Sequence, residues 1–153
     1  MTADTRYRFV SSIPYESERV NAAAVYCSDG RVGDQIDEFL HQSLGFPNYD
    51  RLACPGGPVV FADRFQAFWD GRGVEEQFRF LTQVHDVKIV VLIAHQGCAY
   101  YARRLGIAAA HVDHEQREDL HKATKTVQRL APFVSVQRYL ARTVRSQIAF
   151  EPV

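Results

Sequence analysis

Two short stretches of this 153-residue chain, Cys27-Ser28-Asp29-Gly30-Arg31 and His95-Gln96-Gly97-Cys98, carry the side chains best suited to holding a metal ion. Two thiolates and one imidazole form a ligand set that Zn²⁺ accepts, and three protein ligands leave the fourth tetrahedral position open for water. A structural zinc site would ordinarily close with a fourth protein ligand. Cys54 is available for that role, although it precedes Pro55-Gly56-Gly57 and reads equally as a small buried hydrophobe. Three cysteines are an odd number and too few for a disulfide framework, which leaves packed thiols, nucleophiles or metal ligands. A thiol-phosphatase loop needs five residues between its cysteine and arginine, whereas only Ser28, Asp29 and Gly30 separate Cys27 from Arg31.

The elements that must position these groups follow from the hydrophobic pattern. Asn21 to Cys27 is a short apolar run stopped by Ser28-Asp29-Gly30, so Cys27 stands at the carboxyl end of a buried strand. Ile36, Phe39, Leu40 and Leu44 recur at helical spacing, which predicts a crossover helix over Asp34 to Leu44, ended by Gly45 and Pro47. Asp50 to Cys54 reads as a second strand closed by a glycine-rich loop. Asp63 to Val84 is helical in period but interrupted at Asp70-Gly71-Arg72-Gly73, which predicts two helices or one broken helix. Lys88 to Ala94 is almost wholly β-branched or apolar, the mark of a strand covered on both faces, and His95 follows at its end. Asp113 with Gln116 fits a capping box for a helix running to Pro132, and Phe133 to Leu140 and Gln147 to Phe150 read as closing strands. The expected architecture is α/β: a mostly parallel central sheet flanked by helices, in a single domain over residues 1–153, with its site at the carboxyl ends of the strands.

Composition narrows the function. Eighteen basic and 18 acidic residues leave a net charge of +0, which supplies no general attraction to nucleic acid or anionic lipid. With 46% hydrophobic residues the chain can build a core, yet its longest apolar run, Ile89 to Ala94, is far short of a membrane span. Met1 to Val20 has no apolar segment of the export-signal type, so the expected location is cytoplasmic. His111 and His114 read as solvated side chains, with Asp113 between them used as a helix cap. None of His41, His85, His111, His114 and His121 stands out as a proton carrier. The stripe Phe61, Phe65, Phe68 and Trp69 reads as core or subunit interface.

Taken together and in this order, Cys27-Ser28-Asp29-Gly30-Arg31, Pro55-Gly56-Gly57 and His95-Gln96-Gly97-Cys98 resemble the β-class carbonic anhydrases over about Asn21 to Ala102. That family carries Cys-x-Asp-x-Arg at the end of its first strand and His-x-x-Cys at the end of a later one. The resemblance implies Zn²⁺ on Cys27, His95 and Cys98, and reversible hydration of CO₂ to bicarbonate in a homodimer or higher homo-oligomer. It also implies that Asp29 orients the attacking water while Arg31 holds the carboxylate, or, in a closed state, that Asp29 itself becomes the fourth ligand. Alternative readings on the same zinc are hydrolysis of carbonyl sulfide or carbon disulfide, and a non-catalytic zinc- or bicarbonate-binding protein. The chain departs from the family pattern at Gly30, where Ser is usual, and at Ala99, where Gly is usual. Tyr100 and Tyr101 add bulk beside the site.

Overall fold

A computed structural model describes residues 6–153; Met1 to Thr5, and with them part of the stretch read for an export signal, lie outside the described residues. Among the described residues five strands form one sheet: β1 (Ala22–Cys27), β2 (Asp50–Cys54), β3 (Ile89–His95), β4 (Ser135–Val144) and β5 (Gln147–Pro152), in the spatial order β2-β1-β3-β4-β5. Every pairing is parallel except β4 with β5. The architecture is the mostly parallel α/β sheet that the sequence predicts.

The two-residue period of the strands divides their side chains between two cores. Ala23 and Val25 of β1, with Val90 and Leu92 of β3, face Phe78 of α2 (Phe65–Val84) and Leu120, Ala123 and Val127 of α3 (Ala109–Leu130). Ala22, Ala24 and Tyr26, with Val91 and Ile93, face the opposite way onto Ile36 of α1 (Gly33–Glu38) and Leu40. Helices therefore cover both faces, which explains why β1 and β3 contain almost no polar residue.

Several element boundaries differ from the sequence reading. The crossover helix keeps α-helical geometry only to Glu38 and continues as a wider π-helical turn, Phe39–Ser43. The expected break at Asp70–Gly73 is absent, and α2 runs unbroken for 20 residues. Gly71 is there for packing: a Cβ at that position would fall 2.6 Å from Val60 Cβ. α3 begins at Ala109, so Asp113 lies inside the helix rather than capping it; its carboxylate pairs with Arg117 one turn on and with Arg142 of β4. Alanines 108 to 110 are strong helix formers and extend the helix upstream of the pattern that resembled a cap. β4 and β5 each run beyond their expected ends, held by pairing from Tyr139↔Pro152 to Val144↔Gln147. Of the aromatic stripe, Phe61 is buried, whereas Phe65, Phe68 and Trp69 are exposed.

Candidate metal centre

Cys27 closes β1 and His95 closes β3, and these are adjacent parallel strands, in register at Tyr26↔Ile93. Both candidate ligands thus emerge at the same edge of the sheet. The turn Gln96-Gly97, with Gly97 at φ +71°, reverses the chain and returns Cys98 to that edge. The Cys27 and Cys98 sulfurs stand 3.9 Å apart. The ligand atoms of Cys27, His95 and Cys98 all lie within 4.8 Å of one another, and all three residues are buried. Among the described residues this is the one group of three or more His, Cys, Asp or Glu side chains placed to share a metal ion.

The donor set fits zinc. Tetrahedral Zn–S bonds of about 2.3 Å place two sulfurs about 3.8 Å apart, close to the separation found here. His95 Nδ1 lies 3.0 Å from the Gln96 carbonyl, which only accepts, so this nitrogen carries the proton. Nε2 is left with its lone pair, buried and without a hydrogen-bond partner. A buried unpartnered acceptor is costly unless something binds it, and the neutral imidazole fixed by a backbone carbonyl is the usual form of a histidine ligand.

The electrostatics agree. The sulfur–sulfur hydrogen bond, together with nearby His95, outweighs burial and holds Cys27 well below the ordinary thiol range, while the same bond and burial push Cys98 up. Burial opposes charge on His95, but the Cys27 thiolate overrides it and raises the imidazole. Cys54 sits beside Cys27 in register on β2 but outside the cluster; its thiol lies 3.7 Å from the Gly57 carbonyl, and burial raises it to about 11.

Asp29 and Arg31 form a tight unit on the loop after β1. Arg31 Nε lies 3.0 Å from Asp29 Oδ1 and 3.1 Å from Oδ2, its Nη2 donates to Oδ2 at 2.5 Å, and its backbone amide donates to Oδ1 at 3.0 Å. The guanidinium holds the carboxyl well below the usual carboxylate range. A cavity of about 420 Å³ opens over the cluster, lined by Cys27, Asp29, Gly56, Cys98, Tyr100 and Arg103 among others. His41, His85, His111, His114 and His121 take no part in the cluster.

Sequence reasoning used Gln116 as the partner of Asp113 in a capping box and missed its place beside the site. Its fully buried side chain donates from Nε2 to the His95 carbonyl at 2.8 Å and ties α3 to the end of β3. The signal was there: Gln116 lies one turn before Leu120 on the stripe that continues through Ala123 and Val127, a polar residue on an apolar face. Also missed was a buried ion pair beneath the site. Asp119 accepts from Arg64 Nε at 2.7 Å and from the Tyr101 hydroxyl at 3.0 Å. Its partners lie 55 and 18 positions away along the chain and meet it only after folding, so no local spacing announces it.

Comparison with known proteins places this geometry. An uncharacterised protein of Rickettsia conorii is 23% identical over 122 residues, which cover 76% of this chain and 64% of that protein. The chain therefore spans just under two thirds of that relative's length. The structure resembles a carbonic anhydrase from Glaciozyma antarctica (TM-score 0.54, 12% identity, 85% of this chain and 80% of that one). It also resembles a β-carbonic anhydrase from Trichomonas vaginalis (TM-score 0.51, 11% identity, 85% and 81%). At these identities the likeness concerns the fold. A family model described as "Putative carbonic anhydrase" matches residues 17–151, a span that includes both motif loops. On that match, the chain belongs to this carbonic anhydrase family.

Proposed function

We propose that the chain catalyses the reversible hydration of CO₂ to bicarbonate, with Zn²⁺ held by Cys27, His95 and Cys98. The observation that carries this reading is a set of three buried donor atoms within 4.8 Å of one another, opening on a cavity that also contains the Asp29 carboxylate. Zinc bound there would supply Lewis-acid activation of a water molecule. Two thiolates, a neutral imidazole and a divalent cation sum to zero formal charge, so the activation is weaker than at a tri-histidine site. Orientation by the protein then counts for more.

Asp29 supplies that orientation. Three N–H groups of Arg31 serve its two oxygens, with Nε shared between them, so the carboxylate keeps capacity for one further hydrogen bond, which can come from the attacking water and turn the oxygen lone pair towards carbon. Arg31 keeps the carboxylate ionised and draws it away from the cluster. This pairing weighs against the reading in which Asp29 permanently fills the fourth position of a non-catalytic site. CO₂ offers little to hydrogen bond and needs mainly an apolar approach, and Pro55, Gly56, Ala99 and the Tyr100 ring contribute one. Carbonyl sulfide and carbon disulfide have the same linear shape and belong in the same assay. A homodimer and a cytoplasmic location complete the reading.

The test combines metal analysis with stopped-flow CO₂ hydration from about pH 6 to 9 on the parent and Asp29→Asn. The expected result is one zinc per chain in both, with hydration slowed about 10²- to 10⁴-fold in the variant. Turnover of the sulfur analogues faster than CO₂ would reassign the substrate, and unchanged activity in Asp29→Asn would remove the carboxylate from the mechanism.

A further inference from the structure

Tyr100 adds bulk two residues after Cys98, and it lines the same cavity as Cys27, Asp29 and Cys98. Its ring lies against the loop after β2. A Cβ at Gly56 would come 2.7 Å from Tyr100 Cδ1 and 2.9 Å from Cγ, so the missing side chain of Gly56 is what makes room for the ring. The far end of the side chain is fixed as well. Its hydroxyl donates to Asp70 Oδ2 at 2.5 Å, and Arg104 grips the same carboxylate through Nε at 2.9 Å and Nη2 at 3.0 Å.

Asp70 belongs to α2, whereas Tyr100 and Arg104 are the first and last residues of a π-helical turn, Tyr100–Arg104. Four residues apart, both side chains reach one carboxylate. A surface tyrosine would lose little by swinging into water. This one is bound at its tip, packed at its ring and joined to the peptide that follows the Cys98 loop. With its hydroxyl engaged by Asp70, Tyr100 presents an aromatic surface to the cavity, without a donor for an incoming ligand.

We propose that Tyr100, clamped by Asp70 and Arg104 and seated on Gly56, is a specificity-determining residue of the metal cavity, admitting slender linear ligands and turning away broad ones. This rests on the reading of Cys27, His95 and Cys98 as metal ligands. It extends that reading by naming a wall and the ligand shape it selects. An aromatic wall discriminates by size: removing it leaves a small ligand almost unaffected and relieves the exclusion of a larger one.

The test uses the full chain loaded with Co²⁺ in place of zinc, whose visible absorption changes when an anion enters the coordination sphere. Thiocyanate, three heavy atoms in line, is titrated against benzoate, a planar ring of similar charge. Tyr100→Ala is expected to tighten benzoate about tenfold relative to thiocyanate, and Asp70→Asn, which loosens the clamp but keeps the ring, to shift the ratio in the same direction by about threefold. A merely structural role would weaken both anions together and leave their ratio alone. A ratio within about twofold of the parent in Tyr100→Ala overturns the proposal; if that variant does not fold, the same result in Asp70→Asn does so. A parent chain that takes up no Co²⁺, or whose spectrum ignores thiocyanate, overturns the open-metal-site reading together with the proposal built on it.

Discussion

At position 57 a hydrogen in place of a methyl group holds a candidate metal ligand in place. Gly57 has φ +56°, and a Cβ there would lie 2.7 Å from both the Cys27 amide nitrogen and the Tyr26 carbonyl carbon. Those atoms belong to β1, paired on both sides by β2 and β3, and cannot move aside without disturbing the sheet. Gly57→Ala should therefore cost about 2–4 kcal/mol, the sum of a left-handed backbone penalty and a clash with backbone atoms. Urea denaturation at matched zinc content checks this; a loss under about 0.5 kcal/mol would show that the loop yields freely. The glycines were legible in the sequence as a backbone-dominated loop. Their purpose was not, because the backbone atoms that Gly57 avoids, in Tyr26 and Cys27, and the Tyr100 ring that Gly56 makes room for lie far off in sequence and meet the loop only after folding. The ligands Cys27, His95 and Cys98 could be singled out in the sequence because their chemistry is rare. Gln116 was read only as a capping partner of Asp113, because nothing in the sequence names the His95 carbonyl that its side chain meets after folding.

At the scale of elements, α3 is tied across the sheet end by charge as well as by its apolar stripe. Asp113 receives Arg117 Nε at 2.9 Å and an Nη1 of Arg142 on β4, and Arg117 reaches Glu151 of β5 at 3.0 Å. Arg117, and then Arg142, hold the Asp113 carboxyl below the usual carboxylate range. Because its folded value lies under its unfolded value of about 3.9, the unfolded chain binds more protons in that window. The stabilisation is therefore complete above about pH 5 and disappears as pH falls through the folded value. Thermal melts from about pH 6 down to 2.5 should show Asp113→Asn less stable than the parent at the upper end, by no more than about 1 kcal/mol for such exposed charges, with the two curves converging in acid. Parallel curves would mean that the carboxylate contributes nothing through its charge. The same residue explains a misreading: Asp113 and Gln116 have capping-box spacing, but the tertiary pull of Arg142 and the alanines upstream decide where the helix starts.

For the whole molecule, the decisive fact is that β1 and β3 are neighbours although β2 lies between them in sequence. That arrangement brings Cys27 to the His95-Gln96-Gly97-Cys98 loop and leaves Cys54 on the far side of β1. The alternation of strands and helices indicated an α/β sheet with its site at the strand ends, but strand order is a long-range property and had to come from the structure. Among the described residues no helix is long and apolar enough to cross a membrane. The proposed function requires folding to draw two sulfurs and one imidazole around a metal ion that keeps a position for solvent. X-ray absorption at the zinc edge of the metal-loaded chain tests this most directly. One zinc per chain is expected, with two sulfurs at about 2.3 Å and two nitrogen or oxygen neighbours at about 2.0–2.2 Å, falling to one sulfur in Cys98→Ser. No stoichiometric zinc, or zinc surrounded by oxygen alone, would contradict it.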